Sequence, residues 1–142
     1  MKKKKKVIFP KSIIVGKRNW GMEKLLVLIP KVLSLKLLKI KKGKKGGLQY
    51  HRKKNECGFV LSGKLKVRFD SGNGILKEKT LKSGNCFHFP PGSIHQEEAL
   101  TNCTIIEASS PHFNDRVRVE SKYNLKMGDG LPTTKISDIK FK

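Results

Sequence analysis

The sequence is poor in acids, arginine, cysteine and aromatic residues. Its 142 residues hold 11 Asp and Glu against 32 Lys and Arg, a formal charge of +21. Only five of the basic residues are arginines, Arg18, Arg52, Arg68, Arg116 and Arg118. Specific readers of bases and phosphates favour the guanidinium fork over an ammonium point charge. The lysines also spread along the whole chain, well beyond Lys2–Lys6. This pattern describes a solvated basic surface and excludes no small anionic ligand, but it argues against a specific nucleic-acid partner.

Three cysteines (Cys57, Cys86, Cys103), odd in number and without a CxxC pair, exclude a disulfide framework. They read as reduced thiols of a cytoplasmic protein, packed mostly as small core residues. Long apolar runs are missing too. "LLVLIPKVL" (Leu25–Leu33) is far too short to span a bilayer, so no membrane partner is expected. Lys2–Lys6 resemble the start of a secretory leader, but "VIFP" is too short and Pro10 interrupts it. No stretch shows a helical period.

What is present is alternation of period two, broken by turns. "LSLKLLKI" (Leu33–Ile40), "ILKEKTL", "CFHF" and "CTIIEAS" (Cys103–Ser109) read as strands. "CGFVLSG" and "KLKVRFD" read as a hairpin around Ser62-Gly63, with Leu65, Val67 and Phe69 on one face and Arg68 exposed. Short strands with turns every eight to twelve residues predict an all-β sandwich or barrel. We expect a single domain over residues 1–142. Residues 1–32 form an N-terminal arm or edge strands, 33–109 the barrel, and 110–142 a C-terminal extension.

Chemistry concentrates in two stretches. In "LQYHRKKNE", Gln49, His51 and Lys53 alternate in an extended segment and so share a face, with Glu56 close by. On this reading alone the stretch is a metal site, a damaged metal site, or a solvated charged strand. The second stretch is "GNCFHFPPGSIH" (Gly84–His95), a strand, a Pro-Pro-Gly turn and a histidine.

Together these stretches resemble the two motifs of the cupin superfamily. The first motif runs Gly, five residues, His-x-His, a few residues, Glu, six residues, Gly. The second runs Gly, five residues, Pro-x-Gly, two residues, His, three residues, Asn. Glu56, Gly63, Gly84, Pro90, Gly92 and His95 fit. Lys53 stands where the second His belongs, Ala99 replaces the Asn, and only three residues separate Gly47 from His51. Trp20-Gly21, Leu48–Glu56 and Asp115–Tyr123 further resemble the cupin domain of bacterial mannose-6-phosphate isomerases.

The resemblance implies an antiparallel jelly-roll barrel, or double-stranded β-helix, that forms a homodimer. It implies a divalent metal (Zn, Mn or Fe) on His51, Glu56 and His95, or else a metal-free pocket, with the Gln49 amide oxygen on the same face as a substrate-binding group. Lys53 either points inward, to hold a sugar phosphate or move a proton, or bulges outward with its neighbours. Glu107 is a proton-transfer candidate, a partner for Lys53, or an inert rim acid. His88 is a substrate-facing, core or surface histidine, and one of Glu97 and Glu98 points inward. Trp20 and Tyr50 either stack on a sugar ring or, the favoured expectation, pack in the core, with His112 at the surface and Asp115 and Arg118 as pins for the C-terminal segment. The implied function is aldose–ketose isomerisation of a phosphorylated sugar. The alternatives are an Fe(II) dioxygenase and a non-catalytic sugar-binding cupin.

Overall fold

A computed structural model describes residues 1–127, apart from the side chains of Val15, Gly16 and Lys17. Residues 128–142 of the expected C-terminal extension lie outside the described residues. In chain order the strands are β1 (Ile13–Arg18), β2 (Gly21–Ile29), β3 (Leu33–Ile40), β4 (Gln49–His51), β5 (Glu56–Ser62), β6 (Lys64–Asp70), β7 (Leu76–Lys82), β8 (Cys86–Phe89), β9 (His95–Ala99), β10 (Cys103–Ser109) and β11 (Arg116–Arg118). A 3₁₀ turn, Glu120–Tyr123, follows. No helix among the described residues is long and apolar enough to cross a membrane.

The strands form two antiparallel sheets, ordered β1-β2-β3-β10-β5-β8 and β11-β4-β9-β6-β7. This is the all-β jelly-roll architecture. β10 alternates strictly, with Cys103, Ile105, Glu107 and Ser109 buried between half-buried neighbours. Its register carries the same polarity across the sheet. Ile105 lies between Leu38 and Val60, Glu107 between Lys36 and Gly58, and Ser109 between Ser34 and Glu56. One half of the interior is therefore an apolar plug that includes Trp20, Leu38, Val60, Leu65, Phe87 and Ile105. The other half is polar.

Two glycines are needed where strands approach closely. At Gly21, which opens β2 at φ +149°, a Cβ would lie 1.8 Å from the Lys39 carbonyl oxygen. At Gly58 a Cβ would lie 2.1 Å from the Phe87 ring, which enters the core across β5.

Two expectations are corrected. β5 and β6 are no hairpin: β5 pairs with β10 and β8, while β6 pairs with β7 and β9. Gly63, at φ +90°, turns the chain from one sheet into the other. The cysteines are not mostly core residues either. Cys57 and Cys86 are exposed on the outer face of their strands, and Cys103 alone is buried.

Candidate metal centre and its pocket

The polar half of the barrel begins with β4. Gln49 and His51 both line a cavity of about 100 Å³, and His51 is buried. The strand ends there because the Asp115 carboxylate accepts hydrogen bonds from the next two free amides. Its Oδ2 takes the backbone N–H groups of Lys53 and of Lys54, the latter at 2.8 Å. This bend corrects the reading of Lys53. Lys53 is exposed and leaves the site, while Lys54 turns into the cavity.

Glu56 opens β5 and His95 opens β9, both buried. Glu56 Oε1 lies 3.3 Å from His51 Nε2 and 3.1 Å from His95 Nε2. One ligand atom from each of the three residues falls within 4.8 Å of the others. Metal–ligand bonds of ~2.0–2.2 Å put neighbouring donor atoms roughly 3.0–3.5 Å apart, so this spacing suits a single ion. The hydrogen bonding supports the same fit. His95 Nδ1 donates to the Ser93 carbonyl at 3.0 Å, which leaves a lone pair on Nε2 in the neutral ring. That lone pair faces a carboxylate oxygen, and only a cation between them, a proton or a metal ion, relieves the repulsion. Phe89 stacks on the His95 ring at 4.0 Å and fixes its plane.

Lys54 Nζ contacts Glu56 Oε2 at 2.6 Å and Glu107 Oε1 at 3.3 Å. Burial works against the ammonium, but Glu107 and Glu56 outweigh it and hold the Lys54 pKa above its ordinary value. Burial likewise works against the Glu56 carboxylate. Lys54 and the two imidazoles overcome it and bring Glu56 well below the usual carboxylate range.

Two further acids behave oppositely. Burial, and then the charge of Glu56, push the Glu107 carboxyl up to about 7. Glu97 sits two residues after His95 on the same face of β9 and also lines the cavity. The residue is half-buried, yet its Oε1 is sealed without a hydrogen-bond partner among the described residues. Burial and the charges of Glu107 and Glu56 raise it well above the ordinary value. Of the chain's 11 acidic residues, Glu23, Glu56, Glu97, Glu107 and Asp115 line this one cavity. Buried ion pairs contribute little net stability compared with apolar side chains of similar volume.

The structure thus brings together Gln49, His51, Glu56, His95 and Glu107. It excludes His88 from the pocket, because Phe87 and Phe89 take the inward positions of β8. His88 is exposed, with Nε2 2.8 Å from Asn55 Oδ1. Sequence reasoning missed Lys54 and the buried Glu23–Lys36 pair. Parity could have found that pair, since Lys36 alternates in step with Leu38 and Ile40, and Glu23 with Leu25.

The profile of the family described as "Cupin domain" matches residues 36–108. The fold is shared with several solved structures. The capsular polysaccharide assembling protein CapF from Staphylococcus aureus superposes with a TM-score of 0.67 at 21% identity, over 79% of this chain and 32% of CapF. KdgF from Halomonas sp. gives 0.58 at 23% identity, over 66% of this chain and 81% of KdgF. Oxalate decarboxylase from Bacillus subtilis, a protein with Mn(II) centres, gives 0.61 at 15% identity, over 73% of this chain and 29% of the enzyme. The chain spans only about a third of CapF. No curated protein sequence matches it.

Proposed function

The chain belongs to the cupin-domain family, and from that premise we propose that it is a metal-dependent aldose–ketose isomerase of sugar metabolism, similar to mannose-6-phosphate isomerases. The observation that carries this reading is Lys54, which joins the His51–Glu56–His95 cluster to the proton carrier Glu107. His51, Glu56 and His95 would hold Zn, Mn or Fe. When bound, such an ion supplies Lewis acidity toward a substrate carbonyl.

The chain's own groups supply the rest. Glu107, which burial and the charge of Glu56 raise to about 7 in the metal-free fold, is the group placed to take up and give back a proton. It removes the proton from C2 of the aldose and returns it to C1, while the O2 hydroxyl proton passes to O1. The reaction conserves all atoms and electrons and needs no co-reactant. Lys54 replaces Lys53 as the lysine of the site and holds Glu56 and Glu107 in place. Gln49 Oε1, buried without a partner among the described residues, is an acceptor for a substrate hydroxyl. A cavity of about 150 Å³ holds benzene. The cavity of about 100 Å³ is small enough to leave a terminal phosphate outside it.

The test has two parts. Elemental mass spectrometry measures metal in protein purified without chelator. NMR in D₂O then follows deuterium incorporation at C1 and C2 of hexose 6-phosphates. Near-stoichiometric metal with exchange at these carbons is expected, and metal-free protein without exchange would overturn the reading. One observation favours a second reading, an Fe(II) dioxygenase, because two histidines and one carboxylate are a ligand set that suits Fe(II) and O₂. Oxygen uptake with Fe(II) would select it.

The same proposal includes a homodimer working in the cytoplasm. All three cysteines are free, which suits a reducing compartment. The outer face of the larger sheet carries two apolar cross-strand rows, Leu37–Ile106–Phe59 and Leu35–Ala108–Cys57. The first row runs on to Lys24 at one edge and the second to His88 at the other, which leaves an apolar strip between polar borders. A flat apolar sheet face packs well on its own copy about a twofold axis.

A further inference from the structure

The cavity has a second group of polar side chains that the metal cluster does not use. β2 brings Glu23 to it and β3 brings Lys36, both buried and joined by a 2.7 Å ion pair. Lys36 Nζ also lies 5.1 Å from the centroid of the Phe113 ring. Trp20 is 5% exposed, and its indole Nε1–H is sealed without a hydrogen-bond partner among the described residues. All four side chains line the cavity that His51, Glu56 and His95 line. A buried donor is costly to leave unmatched, and buried indole N–H groups usually find an acceptor.

The charges decide which ligand suits this group. Lys36 is matched by Glu23 and also faces Glu107 across the β3–β10 pair, and Lys54 is matched by Glu56 and Glu107. Each lysine therefore has a carboxylate beside it, which would repel a phosphate. What remains is an indole donor, an ammonium donor, a carboxylate acceptor and an aromatic ring. Such a set recognises uncharged hydroxyls on a carbon skeleton. We propose that Trp20, Glu23 and Lys36 form a hydroxyl-recognition subsite for the uncharged, polyhydroxylated part of the ligand. The inference rests on the reading of the cavity as a sugar site, but the subsite itself needs no metal.

Trp20 is the only tryptophan, so protein emission reports on this position alone. Sorbitol is titrated into the full chain after chelator treatment and again after loading with Zn²⁺. A saturable change in Trp20 emission is expected in both, with midpoints within about threefold, and His88→Ala, outside the pocket, leaves it unchanged. Inorganic phosphate gives no response. Glu23→Gln weakens sorbitol roughly three- to tenfold, because the subsite loses its charged acceptor. Trp20→Phe, followed by calorimetry, weakens sorbitol by a similar factor while keeping an aromatic ring in the core. No saturable sorbitol response from folded protein, or a phosphate response from the unmodified chain, overturns the subsite. A protein that binds sorbitol in this way but takes up no metal and converts no sugar keeps the subsite and loses the isomerase reading.

Discussion

Lys54 Nζ lies 2.6 Å from Glu56 Oε2, so only Oε1 of that carboxylate is left to face the two imidazoles. The lysine fixes Glu56 as a one-oxygen ligand and also holds a positive charge beside the place where a metal would sit. Two unit charges ~4 Å apart interact by about 4 kcal/mol at an effective dielectric of 20. Even a fraction of that repulsion is a large factor in affinity. Lys54→Met should bind Zn²⁺ at least about tenfold more tightly in competition with a chelator. It should also turn substrate over more slowly, because Glu107 loses its partner. Weaker Zn²⁺ binding by the variant would show that Lys54 orients Glu56 more than it competes with the ion.

Glu107 sets a pH dependence in the metal-free protein. Its carboxyl is raised from 4.5 to about 7 in the folded state, so the folded chain holds this proton more tightly than the unfolded one. Stability from this group is fully present below the ordinary carboxyl range and is lost as pH rises through about 7. The loss is on the order of 1–3 kcal/mol. Urea denaturation of chelator-treated protein should show stability falling over this window. Glu107→Gln should flatten the fall, and an unchanged slope would count against the assignment.

The C-terminal segment is tied back by the Tyr123 hydroxyl, which donates to Asp70 Oδ2. That hydrogen bond pushes the phenol up to about 12. In a Tyr50→Phe background only one tyrosine remains to titrate. Its ultraviolet absorbance should change with a midpoint near 12, and Asp70→Asn should bring the midpoint down toward the ordinary value of 10. A midpoint at 10 in the parent would mean that the tether does not form in solution.

Phe59 and Leu61 are 38% and 41% exposed on the outer face proposed to pack on a second copy. Phe59→Lys with Leu61→Lys should convert a dimer into a monomer in sedimentation experiments and leave the Trp20 environment as it was. A parent protein that sediments as a monomer would remove the homodimer from the proposal.

Much of the fold is legible because one face of each strand meets water and the other does not. β3, β8 and β10 have the bounds that alternation predicts. The failures share a physical cause, which is that the deciding partner is far away in sequence. Ser62-Gly63 announces a turn, yet whether the two strands pair or part depends on β8, β9 and β10. Which of two adjacent lysines faces inward is decided by Asp115, about sixty residues later. His88 was readable, since a residue between two inward phenylalanines on a strand must point outward. The raised acids were only partly readable, because their state depends on charges from β3, β5, β9 and β10 and from Lys54 between β4 and β5.

The histidines give the sharpest separation between site and surface. His51 and His95 converge on Glu56, while His88 lies outside the pocket. A ligand that binds only the folded state stabilises it by RT ln(1 + [L]/Kd), about 2.7 kcal/mol at a hundred times Kd. For a chain of this size that amounts to a rise in Tm of roughly 5–10 °C. Zn²⁺ or Mn²⁺ should raise the Tm of the unmodified protein and of His88→Ala by this amount. His95→Ala should show little or no rise, because it removes a ligand and leaves two donors. His51→Ala should behave the same way. Equal rises in all four proteins would place the ion elsewhere, and the absence of a rise in the unmodified protein would leave the cluster to protons alone.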